Sequence, residues 1–510
     1  MRSLLGQARQ WLLDVLAEPG PRRSVTVAVG LLVFGLIFSA VAVPSPSRIK
    51  PPASVSKPVV TTEFVCPDFR GSTSGFSTTV LATIPKPITG SSKAGKAALT
   101  FINSKPGSRS VVAFDSKSGT AIDIETKRAR GSLVGVGRAG LAPGFSGGQL
   151  AIQTVGVNRG LSGLHCSDVA SEQWVVGGGS KSGQSTLLYL SNIENQRASV
   201  NVDFFGPQGP VDAPSARGIV VPGRTTRVVA VDQLVPGFPQ LAMHVVVTAG
   251  RLAIAVSTSE RRGRIALGSD FIPPAVAPAQ SLVIPAIPGV SGTASLVVVN
   301  PGADDADVRI KVIGSDGTFS PVGGSRVTVG ALSVRSVDLT AALQRENSGL
   351  ILESDQPITA SVKVRFKPQR GSSTEFAWTS ATPAITNVAV EPIARKGEGF
   401  NARLIVSAPN SIGHFELIET TRSGVVRKRE FRVDSGKTIS IALGIGRRPR
   451  WFTALVRVLP DSGPLYAGRV QSYSSSGGQL LTVSPLKNAR INVDVPQALP
   501  DLSAAVPSAF

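Results

Sequence analysis

Few residues in this chain have the types and spacing that chemistry needs. Gly144-Phe145-Ser146-Gly147-Gly148 has the GxSxG spacing of a nucleophile elbow, which exposes a serine on a tight strand-to-helix turn. Here the run lies in glycine-rich β sequence with no helix after it, so it reads as a loop. The three histidines, His165, His244 and His414, fall in distant parts of the chain, and His244 sits inside a strand pattern. Paired carboxylates, an HExxH pair, a P-loop and a GxGxxG between strand and helix are all missing. Gly177-Gly178-Gly179-Ser180 reads as a flexible turn. The expectation is a protein without catalytic residues, metal ligands or a cofactor.

Charge says more. The chain has 53 Lys and Arg against 33 Asp and Glu, a net +20, and such a balance attracts polyanions. The basic residues gather in short clusters, Lys127-Arg128-Ala129-Arg130, Arg261-Arg262-Gly263-Arg264 and Arg447-Arg448-Pro449-Arg450. Their nine cations are the candidate polyanion contacts, although solvated loops are the plainer explanation for most of them. Nucleic acid is not the expected partner, because aromatics are only 5% and no helical recognition element is present.

Two cysteines occur, Cys66 and Cys166. Both follow an apolar segment that would export them, and two cysteines in an oxidising compartment pair. In the chain-entropy model, closing a loop of about 100 residues contributes about 4–5 kcal/mol. Two lone cysteines so far apart do not make a zinc site.

Residues 24–43 (SVTVAVGLLVFGLIFSAVAV) carry no charge. As a helix they span about 30 Å, the hydrocarbon thickness of a bilayer. Arg22 and Arg23 precede them, so 1–23 reads as a cytoplasmic tail, 24–43 as a transmembrane helix and the bulk as extracytoplasmic. The alternative is a signal peptide cleaved near Ala40-Val41-Ala42, followed by secretion. Residues 44–60 form a Pro/Ser-rich spacer.

A repeat organises the rest. Thr186-Leu187-Leu188-Tyr189-Leu190-Ser191-Asn192 matches Ala294-Ser295-Leu296-Val297-Val298-Val299-Asn300, and the segment from Ala198 to Gly206 matches that from Ala306 to Gly314, both at an offset of 108. Val228, Val231 and Asp232 align with Val334, Val337 and Asp338 at an offset of 106. A weaker copy runs from Leu404 to Asn410 and onward, and a degenerate one starts near Ala98. The recurring Asn192/Asn300/Asn410 position suits a turn with positive φ or a side chain bonded to its own backbone. Within each copy the apolar period is 2, as in Val308, Ile310 and Val312 against Arg309 and Lys311. The class is therefore all-β, with tandem immunoglobulin/fibronectin-like β-sandwiches at 61–166, 167–272, 279–370 and 385–486, and a flexible tail at 487–510. Trp174, Trp378 and Trp451 are expected in core or joint packing.

The run from Cys166 through Trp174-Val175-Val176-Gly177-Gly178-Gly179 to Leu190-Ser191-Asn192, with Ser354-Asp355-Gln356-Pro357-Ile358-Thr359-Ala360, resembles an actinobacterial family of secreted or membrane-anchored proteins. That family is known as a domain of unknown function, often encoded near cell-envelope glycosyltransferases. The resemblance spans roughly residues 60–485 and departs from the family at Ile193-Glu194, where Pro-Gly is expected. It implies architecture, an envelope location and no catalytic residues. The functional expectation is a non-enzymatic, membrane-anchored array that binds or scaffolds envelope components, possible ligands being anionic wall polymers such as teichoic acids. The alternative is an accessory protein-interaction subunit of a membrane glycosyltransferase or polymer-export system.

Overall fold

The computed structural model describes residues 54–69, 75–84, 94–104, 111–114, 122–126, 131–343, 345–366, 374–446, 450–475 and 477–495. The apolar segment 24–43 and the cluster residues Lys127, Arg128, Arg130, Arg447 and Arg448 fall outside them, the backbone at 122–126 being described up to the first cluster. Among the described residues no helix is long and apolar enough to cross a membrane.

The chain is all-β, and Pro58–Val493 form one compact unit. The ends of that unit meet, with Val59 N donating to Ile491 O at 2.9 Å. Its strands fall into four pairs of antiparallel sheets, each closed over an apolar core. The first pair lays Thr61–Cys66, Gly95–Phe101 and Leu133–Ala139 over Phe76–Thr83, Ser146–Gln153 and Gly160–His165. Phe64, Leu99, Phe145 and the Cys66–Cys166 disulfide fill its core. The second sets Gln184–Asn192, Leu252–Arg262 and Ile265–Ile272 against Ala198–Gly206 and Ala242–Ala249. In the third, Ser348–Phe366 serves both sheets: residues 349–354 pair with Ala306–Ile313, and residues 359–366 with Gly292–Asn300 and Phe376–Ser380. The fourth packs Gly413–Thr421 and Arg450–Val458 on Phe400–Ala408, Tyr466–Ser475 and Gly478–Pro485.

Period-2 alternation explains each core. In Ala306–Ile313, Val308, Ile310 and Val312 are buried while Asp307 and Arg309 face water. The same holds for Val200, Val202 and Phe204 in Ala198–Gly206.

The sheet pairs do not follow one another like beads. Ser167–Ala170 pairs with both Thr61–Cys66 and Leu252–Arg262, so one sheet continues from the first pair into the second. The core of the second pair takes in Val297, Val299, Phe376 and Trp378 of the third. Ala286 of the third packs on Ile405, Val470 and Val483 of the fourth. Leu81, Leu150 and Leu161 of the first pack on Ile393, Phe400 and Leu480 of the fourth, which closes a ring.

The repeat survives in atomic detail. Asn192 and Asn300 are both fully buried at strand ends. Asn192 Nδ2 donates to Gln196 O and Val221 O while its Oδ1 accepts from Glu194 N. Asn300 repeats this with Asp304 O, Val329 O and Gly302 N. Neither has positive φ; that conformation lies across the turn, at Arg224 (φ 57°) and Leu332 (φ 52°), 108 residues apart.

Two alignments read from the sequence shift by two residues. Asn410 is not equivalent to Asn192. Ala408, paired with Lys437, holds the place of Asn192 paired with Thr225, and Asn410 is exposed. Likewise Ala230 corresponds to Asp338, since both face residues offset by 108, so Val228 matches Ser336 rather than Val334. A two-residue slip leaves inward and outward positions unchanged, so period-2 patterning cannot detect it. Asn300→Ala is expected to destabilise by about 2–3 kcal/mol in urea unfolding, because it orphans buried backbone groups, whereas Asn410→Ala should change stability by less than about 0.5 kcal/mol.

Candidate anion-binding cleft

Each sheet pair has a late strand at the edge of one of its sheets: Gly160–His165, Ile265–Ile272, Phe376–Ser380 and Gly478–Pro485. An open edge exposes unpaired N–H and C=O groups. In the ring these four edges converge and cover one another. Gly160 permits the approach, since a Cβ there would lie 2.5 Å from Ser269 Oγ and 2.6 Å from Ser269 O.

Side chains of one edge satisfy the backbone of the next. Asp270 Oδ1 accepts from Gly163 N at 3.3 Å, Phe271 N at 2.8 Å and Thr482 Oγ1 at 2.8 Å, and its Oδ2 accepts from Trp378 N at 3.3 Å. One fully buried carboxyl therefore ties strands from all four sheet pairs. Glu375 Oε1 accepts from Ser269 N at 3.2 Å and Phe376 N at 3.0 Å. Burial pushes both carboxyls well above their ordinary range. Between the first and fourth pairs, buried Glu391 accepts from His165 Nε2 at 2.9 Å and lies 3.1 Å from Arg469 Nε. Burial raises the Glu391 carboxyl, but Arg469 and His165 more than offset it and hold it below its usual range. Arg469 occupies the register of Val256 and Val362, opposite Leu404 as those face Leu188 and Leu296.

This frame positions a cleft of about 400 Å³ between the second and third sheet pairs. Lys363 and Arg365 alternate along one strand and share a face. They lie opposite Trp378 and Phe376 in register, with Lys363 Nζ 4.3 Å from the Phe376 centroid and 5.3 Å from that of Trp378. Across the cleft, the register shifts between Glu260 and Arg261. Such a bulge breaks the alternation, and both residues line the cleft. Glu260 bridges Lys363 and Arg365, and Gln184 Nε2 donates to it at 3.2 Å. Burial raises the Glu260 carboxyl, but the two cations outweigh it and bring it to about 2. Desolvation lowers Lys363 to about 8, Glu260 only partly opposing, with Arg365 and Lys181 adding repulsion. Lys181 and Arg261 complete the rim, giving four cations against one carboxylate.

The glycine run 177–180 is buried rather than a flexible turn. A Cβ on Gly177 would meet the Trp378 ring at 2.6 Å, so glycine lets the third sheet pair seat its indole on the second. Trp174 stacks on His244 at 4.1 Å between ring centroids, and Trp451 packs near Phe400, in line with joint packing.

Of the sequence-derived cations, Arg261 lines the cleft. Arg262 and Arg264 are exposed on the same hairpin, and Arg450 pairs in register with Lys396 in the fourth sheet pair. Of the four that lie among the described residues, the structure thus brings one into the cleft. Lys181, Lys363 and Arg365 were missed as scattered single cations; the legible sign was Lys363-x-Arg365 interleaved with Val362, Val364 and Phe366. Ser146 opens a strand and donates to Gly144 O at 3.0 Å, with no helix following. His165, His244 and His414 each pair with a glutamate, Glu391, Glu172 and Glu430. No cluster of three or more His, Cys, Asp or Glu suited to a metal occurs among the described residues.

No curated protein matches the chain. Among solved structures it is similar to Bacteroides uniformis β-glucuronidase, at 9% identity and TM-score 0.11, over 46% of this chain and 26% of that one. It is also similar to Streptomyces avermitilis α-L-rhamnosidase complexed with L-rhamnose, at 8% identity and TM-score 0.13, over 75% of this chain and 54% of that one. The chain thus spans about a quarter and about half of those two proteins. The model of a family described as Family of unknown function (DUF5719) matches residues 111–444. Since that match covers more than half of its length, the chain belongs to the DUF5719 family of unknown function.

Proposed function

We propose that the protein is a non-enzymatic, extracytoplasmic β-protein that binds anionic polymer of the cell envelope. Residues 24–43 serve as its single-pass anchor, and each sheet pair is a sandwich of immunoglobulin or fibronectin type. The observation that carries this reading is the cleft in which, among the described residues, Lys181, Arg261, Lys363 and Arg365 face a single carboxylate, Glu260. The net +20 of the chain supports it by drawing polyanions over longer range.

Attraction of this kind is screened by salt, with a Debye length of about 10 Å at 0.1 M and about 3 Å at 1 M. Cosedimentation with purified anionic wall polymer is therefore expected to capture the protein at low ionic strength and release most of it at about 1 M salt. Failure to bind at low ionic strength would falsify the proposal.

A further inference from the structure

We propose that the cleft between the second and third sheet pairs is a defined site for a phosphorylated polyol or sugar, with Lys181, Arg261, Lys363 and Arg365 holding the phosphoryl group. This rests on the anionic-polymer reading and deepens it by naming the site and the ligand chemistry.

Charge is the first ground. Glu260 answers Lys363 and Arg365, whereas Lys181 and Arg261 have no carboxylate partner among the described residues. A phosphate monoester carries about −1.5 to −2 charges at pH 7 and offers three strong acceptor oxygens, which suits several cations better than a single carboxylate does. Unused polar atoms are the second ground. Trp378 is 2% exposed, and its Nε1–H finds no acceptor among the described residues. Gln184 Oε1 is buried without a donor. Buried polar groups are ordinarily satisfied, and both residues belong to the cleft wall. Size is the third. About 400 Å³ is at the small end of ligand sites, which run from about 300 to 1,000 Å³.

Lys363 gives the site a signature. It is lowered to about 8, burial first and then Arg365 and Lys181 favouring its neutral form against Glu260. A bound phosphoryl group favours the charged ammonium, so affinity should hold up to about pH 8 and decline above it. Lys363→Arg should abolish that decline.

The test is calorimetric titration of the full-length chain with glycerol 3-phosphate and with a short glycerol phosphate oligomer. Lys181 and Arg261 are both exposed, so the double variant Lys181→Gln/Arg261→Gln should fold normally. It is expected to lower affinity for both probes at least ~10-fold, while Arg262→Gln/Arg264→Gln, which removes the same charge from the adjacent turn, lowers it less than ~2-fold. A tighter oligomer identifies polymer as the source of the phosphoryl group, and equal affinities identify a free polyol phosphate. Equal losses in the two double variants overturn the site while leaving polymer binding intact. Wild-type protein that binds wall polymer but neither probe overturns the site as well. If it binds none of them, both this inference and the reading beneath it fall.

Discussion

Asp270→Ala is expected to lower the unfolding free energy by about 3–5 kcal/mol in urea denaturation. The substitution leaves the N–H groups of Phe271 and Trp378 and the Thr482 hydroxyl without this acceptor, and Gly163 N with Thr482 Oγ1 alone, in the interior where four edge strands meet. Asp270→Asn keeps an acceptor for most of these donors and is expected to cost about 1–2 kcal/mol. The loss should also reach the cleft, because the backbone held by Asp270 Oδ2 is that of Trp378. Phosphoryl binding should weaken in Asp270→Ala even though no cleft cation has changed.

The same carboxyl predicts a pH dependence. Burial raises Asp270 and Glu375 in the folded chain, so the folded state holds their protons more firmly than the unfolded state does. Their contribution is fully present below the unfolded carboxyl values of about 4 and is lost as pH rises toward their raised values. Glu260 and Glu391 act with the opposite sign. Both are depressed, so their contribution is present above the unfolded value and is lost as pH falls toward the depressed values, about 2 for Glu260. Stability should therefore be greatest in mildly acidic solution. Urea midpoints measured from pH 4 to 9 should fall on the alkaline side for wild type and flatten in Asp270→Asn/Glu375→Gln.

Cys66→Ala/Cys166→Ala, tested without reductant, is expected to cost about 4–5 kcal/mol, the chain-entropy value for a loop of about 100 residues. The two sulfurs lie in the core of the first sheet pair. Cys166 immediately precedes Ser167–Ala170, the strand that carries a sheet from the first pair into the second. Hydrogen exchange should accordingly rise first in Thr61–Cys66 and Ser167–Ala170, while Phe400–Ala408 in the fourth pair stays protected. An unchanged urea midpoint would show that the crosslink contributes nothing beyond packing.

How much of this was legible in the chain follows from what each pattern can encode. Alternation such as Val308-x-Ile310-x-Val312 identifies strands and their buried faces, so the all-β class and the repeating cores could be read. Two cysteines after an apolar segment were enough for the disulfide. Register could not be read, because period 2 tolerates a two-residue slip, and Asn410 was matched where Ala408 belongs. The ring was equally hidden. Its determinants are single residues, Asp270, Glu375 and Arg469, each of which looks like an ordinary polar residue in or beside a strand until its partner, 78 or more residues away, is in place. The cleft cations were invisible for the same reason. Clustering in sequence pointed to the hairpin around Arg261, whereas clustering in space adds Lys181 and Lys363 from different elements.

The central claim is that residues 58–493 close into one body rather than standing as a string of domains. Small-angle X-ray scattering of the segment 54–495 tests this most directly. A closed body of this length predicts a radius of gyration of about 22–25 Å. Four sheet pairs strung end to end would exceed about 40 Å, given about 13 Å for each 100-residue domain. A value near the first supports the ring around Asp270, and one near the second contradicts it.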